Sequence, residues 1–214
     1  MVVCLGCVIY AAIKYTFAWG VIMGAIQNLT ADYKEIYSIN LQKDKKVALF
    51  INILAFLIVV SMVIIMNFYI PISSLFSMEN GLLKYFIKFL VLISSIVSYI
   101  YLHELVHGIT MKAFGTKKVK YGFTGMYAFA GSNDYYDKKS YITIALTPII
   151  VFLFVFVVIN FLVPKEWFWI VYFLQICNIS GAAGDIFVTV KLATMPKDIV
   201  VKDKGVCITV YSKQ

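Results

Sequence analysis

Residues 86–108 read FIKFLVLISSIVSYIYLHELVHG. The stretch is apolar and long enough to cross a bilayer as a helix, which takes about 20 residues. Its last third carries both histidines of the chain, His103 and His107, with Glu104 between them. In a helix, residues four apart project from one face about 6 Å apart along the axis, so both imidazoles can reach one metal ion. Glu104 lies about 100° around from His103, beside such an ion rather than on it, where it can take a proton from a bound water. Two polar rings and a carboxylate in hydrocarbon are costly unless paired, so residues of this kind mark function.

Working outward, three further apolar runs have spanning length: Val47–Ile72, Tyr141–Val163 and Trp167–Val190. Met1–Ile26 is a fifth candidate, weakened by Lys14 near its middle, with an interfacial helix as the alternative. It does not read as a secretory signal, because no basic region precedes it and no clean small-residue cleavage site ends it. The composition agrees: of 214 residues 62% are apolar and only 14% charged, far from the balance of a soluble domain. The expected class is an all-α integral membrane protein, a bundle of about five transmembrane helices.

The net charge of +8 comes from 19 lysines and no arginine. Arginine is the residue best suited to phosphate and base-edge recognition, and the lysines do not form one stripe, so a nucleic-acid partner is excluded. They cluster instead in three connections: Lys34–Lys46, Lys112–Lys139 and Lys191–Lys213. The connections around 71–80 and 164–166 hold few. By the positive-inside rule the Lys-rich segments, including the 112–139 loop and the C-terminus, are cytosolic in a multi-pass plasma-membrane protein. Two segments read as strands rather than helix. Lys118–Asp137 interleaves aromatics with glycines, a hairpin at the membrane interface. Ile199–Tyr211 flanks Asp203-Lys204-Gly205, a short cytosolic hairpin. The organisation expected is 1–46 as an N-terminal span and loop, 47–195 as the core, and 196–214 as a cytosolic tail. Cys4 and Cys7 have C-x-x-C spacing, but Cys177 and Cys207 supply no second pair, so they read as small residues tolerated in lipid.

A catalytic zinc keeps one position open and takes three protein ligands. With no third histidine, the acids inside apolar spans are Glu104 and Asp185. Asp185 is six residues before Lys191 and His107 five before Lys112, so both lie near the cytosolic ends of their helices at similar depth. Asp185 is therefore the candidate third ligand. The small residues Ser180–Gly184 before it would let its helix pack closely on a neighbour. Asn178 shares the face of Asp185 two turns away, as a contact for substrate or an oxyanion or as an interhelical hydrogen bond.

HELVHG in a membrane helix, Thr147-Pro148 near the start of the next span, and the Asn178…Gly184-Asp185 stretch resemble the small bacterial zincin peptidase family, itself similar to the site-2-protease type of intramembrane metalloprotease. The resemblance covers roughly Leu82–Tyr211. It implies His103, His107 and Asp185 as Zn2+ ligands, Glu104 as the base, and a membrane-associated hairpin after the first motif helix. No Asn-Pro-Asp-Gly or Leu-Asp-Gly motif surrounds Asp185, and no PDZ-like insert is present. The function expected is a zinc metalloendopeptidase hydrolysing peptide bonds of a membrane-associated or membrane-spanning protein near the cytosolic face. The alternative is a non-catalytic membrane protein that uses the His/Glu/Asp cluster for structure or partner binding. Zinc transport, which needs a string of sites, is a weaker third reading.

Overall fold

The computed structural model describes residues 24–79, 81–125 and 127–213. Lys45–Asn67 (α1) has no charged residue after Lys46, and its large side chains face outward along most of its length. Leu82–Ala113 (α2) follows a short 3-10 turn at Ile72–Leu75. Lys138–Leu162 (α3) begins at a defined cap: the Asp137 carboxylate accepts from the Ser140 N–H at 2.8 Å and from the Ser140 hydroxyl at 3.0 Å. Phe168–Gly181 (α4) and Ala183–Ala193 (α5) are two helices broken at Ala182, whose backbone turns to φ −82°, ψ 11°. Together they make up the last span expected from the sequence, interrupted at Ala182.

Among the described residues four helical segments are long and apolar enough to cross a membrane, at Lys45–Asn67, Leu82–Ala113, Lys138–Leu162 and Lys165–Ala193. The candidate span Met1–Ile26 lies outside the described residues except at 24–26, which are not helical: Ala25 N–H donates to the Phe114 carbonyl at 2.6 Å, and Ile26 bridges to Tyr135. An outward belt of Phe68, Phe161, Leu83 and Leu90, each more than two-thirds exposed, is left uncovered by the other described residues and suits hydrocarbon.

The all-α expectation needs correction. Tyr33–Asn40 (β1), Tyr135–Asp137 (β4), Val200–Asp203 (β5) and Cys207–Lys213 (β6) form one antiparallel sheet in the order β1-β6-β5-β4. Lys120–Phe123 (β2) and Ala128–Gly131 (β3) form a separate antiparallel pair. The four-stranded sheet joins the segment before α1, the connection before α3 and the tail, so all three lie at one end of the helices. Burial explains it: Ile39, Tyr136, Val201, Ile208 and Val210 of the sheet cluster with Met111, Ile144 and Leu192 of the helix ends. Short strands rich in β-branched residues, apolar on one face, cover what the helix ends leave open. A second cluster around Tyr99, Val106, Phe152 and Phe156 fills the middle of the bundle, and a third around Leu92 and Trp169 lies at the far end.

Candidate metal centre

His103 and His107 occupy successive turns of α2, and both rings are buried. Asp185 lies in the first turn of α5, just past the break at Ala182. The break redirects the chain so that Oδ2 of Asp185 stands 3.6 Å from Nε2 of His103 and 3.6 Å from Nε2 of His107. The three ligand atoms all lie within 4.8 Å of one another. A tetrahedral ion with bonds near 2.0–2.1 Å places neighbouring donors about 3.3 Å apart, so the two His–Asp spacings are within a few tenths of an ångström of those in a coordination sphere.

The outer nitrogens decide whether the inner ones can bind. The Ile144 carbonyl of α3 can only accept, so at 3.0 Å it takes the proton of His107 Nδ1. Asn178 donates through Nδ2 to the Ile149 carbonyl at 3.0 Å, which turns its Oδ1 toward Tyr99. Tyr99 donates its hydroxyl proton to that Oδ1 at 3.1 Å and so accepts from His103 Nδ1–H at 2.8 Å. Both rings thus carry their proton on Nδ1 and turn a free Nε2 lone pair toward Asp185. Two imidazoles and one carboxylate, with a side left open, fit zinc.

Glu104 is half-buried, and it stands outside the three-residue cluster while lining the same cavity. The Ala130 N–H of β3 faces its carboxylate. The cavity measures about 370 Å³ and runs from His103, His107 and Asp185 past Glu104 to Phe129 of β3 and Val206 of the tail turn. Gly181 and Gly184 also line it, and a Cβ built on either meets nothing within 4 Å. The expectation that these small residues bring two helices together is therefore corrected for the glycines: they leave space open, while Ala182 and Ala183 are the buried members of the run. Close approach occurs elsewhere. A Cβ on Gly108 would overlap the Tyr121 ring of β2, and one on Gly131 would run into the backbone of Lys204 and Gly205.

Asn178 is fully buried and stands behind His103, with both ends of its amide used within the protein. Of the two roles open to it from sequence, the interhelical hydrogen bond is the one the geometry contains. Sequence reasoning missed Tyr99, although it lies four residues before His103 on the same face. It also missed Asp203. That residue sits between two lysines and reads as part of a turn, yet it shares a strand face with the buried Val201. Asp203 lines the cavity, accepting from the Tyr141 hydroxyl at 2.7 Å and the Gly205 N–H at 2.7 Å. Burial pushes its carboxyl up to about 7, against the pull of those two bonds.

Residues 96–200 of the chain match the model of a family described as "Putative zincin peptidase". The matched segment takes in the histidine motif, Asn178 and Asp185. A protein of Pyrococcus woesei, described as "Uncharacterized 24.7 kDa protein in gap 5'region", is 31% identical over 139 residues, which are 63% of this chain and 58% of that protein. The chain thus spans less than two thirds of that relative's length. No solved structure matches it. The family match supports a zincin type of metallopeptidase, with zinc as the metal such a family implies.

Proposed function

We propose that the protein is a membrane-embedded zinc metallopeptidase that cleaves peptide bonds of a membrane-associated or membrane-spanning protein near the cytosolic face. The observation that carries this reading is the convergence of two imidazoles and one carboxylate, each 3.6 Å apart across the His–Asp pairs, on a cavity that Glu104 also lines. His103, His107 and Asp185 would hold the metal, and when bound it would supply Lewis acidity toward the scissile carbonyl and acidify water. Glu104 accepts the proton of the attacking water and returns it to the leaving amine. The cavity walls from β3 and the tail turn align an extended segment beside Glu104. The Lys-rich end, with the sheet, faces the cytosol of a plasma membrane, where His107 lies about 9 Å and Asp185 about 12 Å from their helix ends.

The test joins metal content to hydrolysis. Full-length protein purified in detergent should hold about one zinc per chain, and His103→Ala should lose metal and activity together. Glu104→Gln should keep its zinc and lose about 10²–10⁴-fold in rate toward a cleaved peptide, because glutamine keeps the shape and cannot take a proton. Loss of zinc in Glu104→Gln would make Glu104 a ligand; full activity in that variant would end the metallopeptidase reading.

A further inference from the structure

The Thr147-Pro148 pair lies inside α3, where a proline ordinarily weakens a helix. A residue at position 148 would donate its N–H to the carbonyl four residues earlier, which is Ile144. Proline has no N–H, so that carbonyl has no i+4 helical donor. It is the same carbonyl that accepts from His107 Nδ1 at 3.0 Å. On the other side of Pro148, the Ile149 carbonyl orients Asn178, and through it Tyr99 and His103. The two histidines are therefore oriented by two carbonyls that flank one proline on a neighbouring helix.

Accepting the zinc reading above, we infer that Pro148 is a positioning residue. It withholds a helical donor so that the Ile144 carbonyl is free to fix His107, while the Ile149–Asn178–Tyr99 chain fixes His103. α3 thus sets the ring orientation and protonation of both imidazoles without contributing a ligand. The helix breaks a local rule at Pro148, and the compensation appears at the metal-binding rings. Outer-sphere partners of metal-bound histidines typically govern about 10- to 100-fold in metal affinity.

The experiment uses full-length protein in detergent and measures zinc affinity by competition with a chromophoric chelator, alongside thermal stability. Pro148→Ala restores the 148 N–H as a competitor for the Ile144 carbonyl. Zinc affinity should fall about tenfold or more, while the melting temperature of the metal-free protein stays level or rises, because alanine favours the helix. A merely structural proline would move both in the same direction or leave affinity alone. Tyr99→Phe cuts the other arm and should cost about 10- to 100-fold in affinity. Because the chain has only two histidines, the imidazole Nδ1–H protons of each can be followed in ¹⁵N-histidine-labelled, zinc-loaded protein. Both should exchange slowly with water; Pro148→Ala should speed only that of His107, and Tyr99→Phe only that of His103. Should Pro148→Ala fail to fold, fast exchange at His107 Nδ1 in the wild type would overturn the inference, and slow exchange there would support it. Affinity within about threefold of wild type in Pro148→Ala would overturn it as well. If the wild type itself takes up no zinc, the metallopeptidase reading fails instead, and the two failures are told apart by that one measurement.

Discussion

Replacing Asp203 with asparagine tests the electrostatics of the cavity floor without touching a ligand. Asp203 is 9% exposed, and its carboxylate accepts from Tyr141 and from the Gly205 N–H, each at 2.7 Å. Burial outweighs both bonds and raises the carboxyl from its ordinary 3.8 to about 7. The folded protein therefore holds this proton more tightly than the unfolded chain does. The stability it supplies is complete below about pH 4, declines as pH rises, and is gone above about pH 7. About three pH units at about 1.36 kcal/mol each amount to roughly 4 kcal/mol across that window. Asparagine is neutral throughout; it can still accept from Gly205 and can donate to the Tyr141 oxygen. Melting curves of metal-free wild type and Asp203→Asn, taken from pH 4 to 8, should therefore separate progressively up to pH 7 in favour of the variant and run parallel above it. An infrared band from a protonated carboxyl should disappear over the same range in the wild type alone. Adding zinc should shift that midpoint downward, since a nearby cation favours the carboxylate. Parallel curves over the whole range would refute the assignment of Asp203 as a buried, protonated acid.

Gly184→Leu should retain zinc and fold normally, because nothing lies within 4 Å of a Cβ there, yet the larger side chain enters the cavity; displacing a substrate from its reacting geometry should cost about 10²-fold in kcat/KM. Gly131→Ala places a methyl against the Lys204–Gly205 backbone; it should destabilise by about 1–3 kcal/mol and loosen the Ser132 N–H bond to the Asp203 carbonyl, read by amide hydrogen exchange. In a background free of native cysteines, Lys117→Cys and Lys204→Cys should both react from the same side of the membrane, and Lys165→Cys from the opposite side, because β4 binds the first two regions into one sheet end. Opposite labelling of 117 and 204 would contradict the sheet itself.

Periodicity and cost made much of this legible in the sequence. All four described spanning segments coincide with apolar runs of spanning length, and the helical repeat alone puts His103 and His107 on one face. Asp185 emerged from a counting argument about depth, and the structure places it 3.6 Å from both rings. What stayed hidden depends on long-range pairing. β1 lies more than 150 residues from its partner β6, and its sequence, YKEIYSIN, shows no clean alternation; nothing local in it announces a sheet that draws its strands from three regions. The break at Ala182 was hidden for a related reason. Glycine and alanine in an apolar run read equally as packing and as a bend, and only the neighbouring helices decide which.

The same reasoning explains why Pro148 was visible as a residue but not as a device. A proline near the start of a membrane helix reads as a tolerated irregularity, since the carbonyl it frees has many possible partners. Only the packing of α3 on α2 supplies the partner, His107, and with it the consequence for the ring. The candidate metal centre is thus built at two levels that differ in legibility. The candidate ligands stand out by their own chemistry, because few other residue types can take their place. The groups that orient them are backbone carbonyls, an amide and a phenol, each common elsewhere in the chain, and they gain meaning from direction alone. A substitution chosen by residue type would pass over Ile144 and Ile149 altogether, since any side chain at those positions presents the same carbonyl. Pro148 is the position at which the sequence, rather than the backbone common to all residues, controls whether that carbonyl is available.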